Sequence, residues 1–132
     1  MMGSGSCEGA LVAKQSTAVP TMGPLERQAM EVLWSRAQEY LQVRDVCIEL
    51  DSSLAYTTVM TLLVRLTTKG LLTRRRRGRA YAYRPRISRS DYAARAMVQT
   101  MEDASDVPDV LLRFVDELSE EQQAALRDLL EE

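Results

Sequence analysis

The sequence predicts a mainly α-helical chain with one β-hairpin, and three observations support that reading. Apolar residues recur at three- and four-residue spacing in six separate stretches, the period of helices that bury one side. After Gly70 the pattern switches to a period of two, as in strands. Charge is also divided: residues 1–90 hold 14 Lys and Arg against seven Asp and Glu, and residues 91–132 hold three against 12. A part of charge +7 is thus joined to a part of charge −9, which suits a basic binding module followed by an acidic segment with another task.

Residues 1–20, rich in Gly, Ser, Ala and Thr, read as a flexible tail outside the fold. Met22-Gly-Pro-Leu opens the first helix, with Pro24 at its first position. Leu25, Ala29, Val32 and Leu33 form its inner face, with Trp34 and Met30 beside it; Glu26, Arg27, Glu31 and Arg36 are expected in solvent. Gln42–Leu50 is a shorter helix with Val43, Val46, Cys47 and Leu50 inside. Asp51-Ser-Ser53 makes the turn and offers capping side chains to the third helix.

That third helix, Ser53 to Gly70, carries the most information. Val59, Leu62, Leu63 and Leu66 make an apolar stripe. Thr58, Thr61, Arg65 and Thr68 make a second stripe, flanked by Thr57 and Met60. Short hydroxyl side chains followed by Arg suit a helix lying in a DNA major groove, where they reach base edges without steric block. Gly70 ends the helix by accepting positive φ. Two short helices, a turn and this third helix make a helix-turn-helix arrangement.

Leu71–Arg77 and Arg79–Arg84 read as two strands joined by a tight turn near Gly78, with Tyr81 and Tyr83 on one face and Ala80 and Ala82 on the other. Arg74, Arg75, Arg76, Arg77 and Arg79 place five cations in six positions at that turn. Their mutual repulsion would be relieved by a phosphate backbone, with release of counterions.

Pro85 closes the hairpin, and Ser88 and Asp91 have the spacing of a capping box opening a fourth helix. Tyr92, Ala93, Ala96, Met97, Thr100 and Met101 lie near one side of it. An acidic connection, 102–108, leads to a fifth helix, Asp109–Leu118, with Leu111, Leu112, Phe114, Val115 and Leu118 apolar. Ser119 and Gln122 form another capping box before a last helix striped by Leu126, Leu129 and Leu130. Three amphipathic helices make no large core alone, so these stripes point to pairing with a second copy; folding back onto the basic region is the alternative.

Composition narrows the functions. The chain has no histidine, which removes the commonest general base and metal ligand, and no nucleophile–base pair is visible. An enzyme, a metal site and a cofactor are not expected. Cys7 and Cys47 match no metal or redox spacing; both suit a reducing cytoplasm, with Cys47 as a small buried apolar residue. No run approaches the ~20 apolar residues of a membrane span, and no secretory signal is visible.

Leu25–Trp34, Tyr56–Leu66, Lys69-Gly-Leu-Leu72 and Arg79–Tyr83, with Phe114-Val-Asp-Glu-Leu-Ser119, resemble the penicillinase repressor family, and the resemblance runs from about Met22 to the C-terminus. It implies a winged-helix DNA-binding domain (residues 21–87: three helices plus a β-hairpin wing) and a helical dimerisation domain (residues 88–132). It further implies a repressor that occupies a palindromic operator as a homodimer. Thr57, Thr58, Met60, Thr61 and Arg65 fall where that family's recognition helix meets DNA, and the Arg-rich turn falls on the wing. Met60 stands where a basic residue is frequent, and the wing is unusually basic. In the antibiotic-resistance branch a membrane-bound sensor metalloprotease relieves repression by cutting the dimerisation domain; the matching bond lies near Arg113 and Phe114. The copper-responsive branch carries a C-terminal Cys-x-Cys motif, which this chain lacks. Two other functions stay open on the residues alone: a winged helix that binds an acidic protein, and a regulator that binds a small molecule.

Overall fold

The computed structural model describes residues 19–50 and 53–131. The expected tail lies outside the described residues apart from Val19 and Pro20, as do Cys7, Asp51 and Ser52. The chain forms two compact units, one over Val19–Ala94 and the other from Arg95 onward.

The first unit contains α1 (Pro24–Ser35), β1 (Leu41–Gln42), α2 (Val43–Glu49), α3 (Tyr56–Thr68), β2 (Leu72–Arg77) and β3 (Ala80–Pro85). It also holds the start of α4 (Arg89–Glu102). Its core joins Ala29, Met30 and Leu33 of α1, Val46 of α2, Val59, Leu63 and Leu66 of α3, and Leu72 and Tyr83 of the sheet, all fully buried. Each such aliphatic side chain contributes about 1.5–3 kcal/mol by leaving water. The α1 stripe is rotated from the one expected: Met30 and Trp34 are inside, Leu25 is exposed and Val32 half-buried. In α2 only Val43 and Val46 are buried; Cys47 and Leu50 are half-buried.

Two features lock this unit. Trp34 Nε1 donates to the Ile87 carbonyl at 2.9 Å, so the chain leaving the sheet is tied to α1. Tyr92 packs its ring 5.8 Å from that of Trp34 and donates its hydroxyl to the Pro20 carbonyl at 2.8 Å. Tyr92, expected on a dimer face, therefore belongs to the interior of the first unit. The compact unit that holds it runs to Ala94.

Glu26 is the second correction. Expected in solvent, its side chain is only 6% exposed. Its Oε1 accepts from Lys69 Nζ at 2.8 Å and from the Gly23 N–H at 2.9 Å. Lys69 also donates to the Thr21 carbonyl at 3.0 Å. The pair joins the N-terminus of α1 to the C-terminus of α3, and each charge sits at the helix end whose dipole favours it.

The sheet is antiparallel in the order β1-β3-β2. Gln42, read from sequence as helical, pairs instead with Ala82, and Leu41 pairs with Tyr83. Arg77 pairs with Ala80, leaving Gly78-Arg79 as a two-residue turn with Gly78 at φ 66°. Gly70, at φ 85°, follows α3; Leu71 N–H donates to Leu66 O and Gly70 N–H to Thr67 O, both at 3.0 Å. These are the two bonds of a Schellman ending.

The second unit holds the rest of α4, α5 (Val107–Glu117) and α6 (Glu120–Leu130). α5 starts two residues before the expected Asp109, because the Asp106 side chain caps it by accepting from Asp109 N–H at 3.1 Å. Ser119 and Gln122 form the expected reciprocal capping box of α6. Not one described residue from 95 to 131 is buried. Ala96, Met97, Thr100, Met101, Val110, Leu111 and Phe114 line an apolar groove of about 440 Å³. Leu129 and Leu130 are 68% and 78% exposed.

The Glu26–Lys69 pair generates a pH prediction. The Lys69 hydrogen bond, then the Gly23 N–H, hold the Glu26 carboxyl below its ordinary value of 4.5. The carboxylate thus stabilises the fold above about that pH, and its contribution is lost as pH falls through the lower folded-state value. Glu26→Gln should cost about 2 kcal/mol near neutrality and flatten the acid limb, as measured by urea unfolding between neutral and acid pH.

Candidate nucleic-acid interface

The buried stripe of α3 dictates which of its residues face outward. With Val59, Leu62, Leu63 and Leu66 inside, the exposed face runs through Thr57, Met60, Thr61, Val64, Arg65 and Thr68. Thr58 sits at its edge, half-buried, rather than at its centre. Tyr56, at the start of the helix, is exposed beside Thr57 and was not anticipated. Val64 was also missed, although its spacing of four from Met60 marks it as part of this face. Ala55 occupies the N-cap position and supplies no capping oxygen.

The hydroxyls are not all free to donate. Thr61 Oγ1 donates to the Thr57 carbonyl at 2.9 Å, and Thr68 Oγ1 donates to the Val64 carbonyl at 3.1 Å. A hydroxyl has one proton and two lone pairs, so in this arrangement Thr61 offers acceptors and a methyl group outward. That set matches the exocyclic amines and thymine methyls of the major groove.

The hairpin supplies the cations. Arg74, Arg75, Arg76, Arg77, Arg79 and Arg84 are all exposed, as is Arg65 on α3. None of the seven pairs with a described carboxylate. Several lie over aromatic rings instead. Arg75 Cζ is 4.0 Å from the Tyr40 ring centre and Arg84 Cζ 5.2 Å from the same ring. Arg74 and Arg76 lie 4.0 Å and 5.7 Å from the Tyr81 ring. Arg84 and Tyr40 were absent from the residues picked out by sequence; the alternation that puts Arg84 on the Ala82 face was the available signal for the first.

Chemically, the assembly can hold a polyanion. It offers dense positive charge with unpaired N–H donors next to a helix face of small polar and apolar groups. Among the described residues no cluster of three His, Cys, Asp or Glu side chains could hold a metal ion, and no helix is long and apolar enough to cross a membrane. Arg113 and Phe114 lie within α5, both exposed, and Arg113 pairs with Asp109 one turn earlier at 2.9 Å.

Comparison with known proteins adds an independent line. The family described as penicillinase repressor matches residues 22–132. A transcriptional regulator of Mycobacterium tuberculosis, BlaI, is 39% identical over 116 residues, covering 84% of this chain and 83% of its own length. The penicillinase repressor of Bacillus licheniformis is 32% identical over 76 residues, covering 56% of this chain and 58% of that protein. The solution structure of the DNA-binding domain of the repressor BlaI is 33% identical, with a TM-score of 0.49, over 56% of this chain and 90% of that one.

Proposed function

Because the chain belongs to the penicillinase repressor family, we propose that it represses transcription by gripping operator DNA as a homodimer. α3 enters the major groove, the hairpin follows the phosphate backbone, and residues 95–131 pair two copies over a palindromic site. One observation carries this reading: seven exposed arginines, none paired with a carboxylate among the described residues, accompany a helix face built of Thr, Met and Val. A surface that only needed solubility would mix charges of both signs.

The roles divide by chemistry. Arg74–Arg77, Arg79 and Arg84 contact phosphates and supply affinity without sequence preference. Thr57, Met60, Thr61 and Val64 read base edges, with Thr58 at the margin of that contact. Arg65, further along α3, clamps a phosphate. Ala96, Met97, Met101, Leu111, Leu112, Phe114, Val115, Leu118, Leu126, Leu129 and Leu130 form the dimer face; Tyr92 is left out because its own unit buries it. Relief by a membrane-bound sensor metalloprotease is the finer part of the reading. Its bond near Arg113 and Phe114 lies inside a helix, so α5 must open locally before a protease can take that segment in extended form.

Three measurements test this. Binding of duplex DNA, followed by anisotropy across salt concentrations, should weaken linearly in log–log form; changing Arg75, Arg76 and Arg77 together to Ala should reduce that slope by about three. An unchanged slope removes the hairpin from the interface. Thr57→Ala and Thr61→Ala should each cost about 1–3 kcal/mol on an operator selected from genomic fragments and almost nothing on random duplex; equal losses on both would show that α3 does not read sequence. Leu112→Asp should convert a sedimenting dimer into a folded monomer, because Leu112 is exposed within its own chain.

A further inference from the structure

Two sets of arginines in this chain are held differently, although Arg27 and Arg89 combine an ion pair with a place over the Trp34 ring. Arg27, Arg36, Arg89 and Arg113 each pair with a carboxylate. Arg74, Arg75, Arg76 and Arg84 have no such partner among the described residues and lie over tyrosine rings. The register explains the arrangement. Arg74 and Arg76 alternate with Arg75 along β2, so the first two project on the Tyr81 side of the hairpin and Arg75 on the other. Leu41 pairs with Tyr83, and continuing that antiparallel register sets Tyr40 beside Arg84, on the face that holds Arg75. The two-residue strand β1 thereby delivers an aromatic ring to a hairpin face that otherwise presents Thr73, Ala80, Ala82 and cations.

Resting on the DNA-binding reading above, we propose that Tyr40 and Tyr81 are positioning residues for phosphate contact, each ring holding two guanidinium groups in place for the DNA backbone. A carboxylate in the same place would also hold an arginine, but it would cancel the charge and occupy the N–H fork that a phosphate needs. An aromatic ring attracts the guanidinium through its negative face and leaves both the charge and the N–H donors available. It also offsets the repulsion among neighbouring cations, so fewer rotamers must be frozen when DNA arrives. Arg77 and Arg79, at the tip, lie over no ring among the described residues.

The test compares Tyr40→Leu, Tyr40→Phe and Arg75→Ala for binding to random-sequence duplex DNA across salt, with side-chain NMR of the arginine Nε–H groups in the free proteins. Tyr40→Leu should bind about threefold to tenfold more weakly with an unchanged salt slope, since Arg75 and Arg84 keep their charge. Its Arg75 and Arg84 signals should become as mobile as those of Arg77. Tyr40→Phe, which keeps the ring, should stay within about twofold of the parent. Arg75→Ala should lower the slope by about one. Equal affinity of Tyr40→Leu and the parent would overturn the proposal alone, as would a loss in Tyr40→Phe matching that in Tyr40→Leu, which would make the hydroxyl the contact. Failure of the parent to bind duplex DNA at all would overturn the DNA reading and this role together. If Tyr40→Leu does not fold, Tyr81→Leu and Tyr81→Phe make the same comparison on the opposite face.

Discussion

The rotation of α3 about its own axis is the constraint on which the first unit depends. Val59, Leu62, Leu63 and Leu66 must all be inside, and turning the helix by one residue would expose several of them at about 1.5–3 kcal/mol each. Burial on one side leaves Thr57, Met60, Thr61, Val64 and Arg65 outside without further instruction. The chain then allows no slack. Gly70 turns it through a Schellman ending, and Leu71 and Leu72 are buried at once, so β2 starts from a point fixed by α3. Helix face and hairpin are therefore held as one surface, and Glu26–Lys69 fastens the same corner to α1.

Charge is handled by where its partners are. At α1 the ordinary solution is used: Arg89 and Arg27 share Glu31, and their hydrogen bonds hold its carboxyl below the usual range. Those exposed pairs are worth little individually. Along β2 and β3 no described carboxylate pairs with the arginines, and Arg74, Arg75, Arg76 and Arg84 lie over tyrosine rings instead. The densest group of cations without a described carboxylate partner is thus on the hairpin.

Much of this architecture could be read from residue order. The α3 stripe, the stop at Gly70, the turn at Gly78 and the capping box at Ser119 are local signals, each decided within a few residues, and all appear where expected. Four of the misses share a physical cause: each depends on a partner far along the chain. Glu26 looks like a solvated helix residue until Lys69, 43 positions later, arrives to pair with it. Gln42 looks helical until β3 pairs with it, and Tyr40 has no meaning before Arg75 and Arg84 are folded beside it. Tyr92 sits on a plausible apolar stripe, yet Trp34 and Pro20 claim it for the first unit. In the binding surface, residue types were readable, whereas the centre of the exposed α3 face was displaced toward Met60 and Val64.

The second unit completes the argument by what it fails to bury. In the proposed complex, a half-site touched by one α3 is discriminated through a few side chains, at about 1–3 kcal/mol for each good contact. When two copies are joined, the half-site energies add and the discrimination ratio is squared, while the second contact becomes intramolecular and gains from effective concentration. The joint in the proposed dimer must come from α4, α5 and α6, whose apolar side chains have no interior of their own among the described residues. Stability of that unit is then linked to association, so it rises with protein concentration. On the same proposal, occupancy of the operator follows the same variable. In that proposed dimer the exposed leucines of the acidic unit thus set the threshold at which two α3 faces read the operator together.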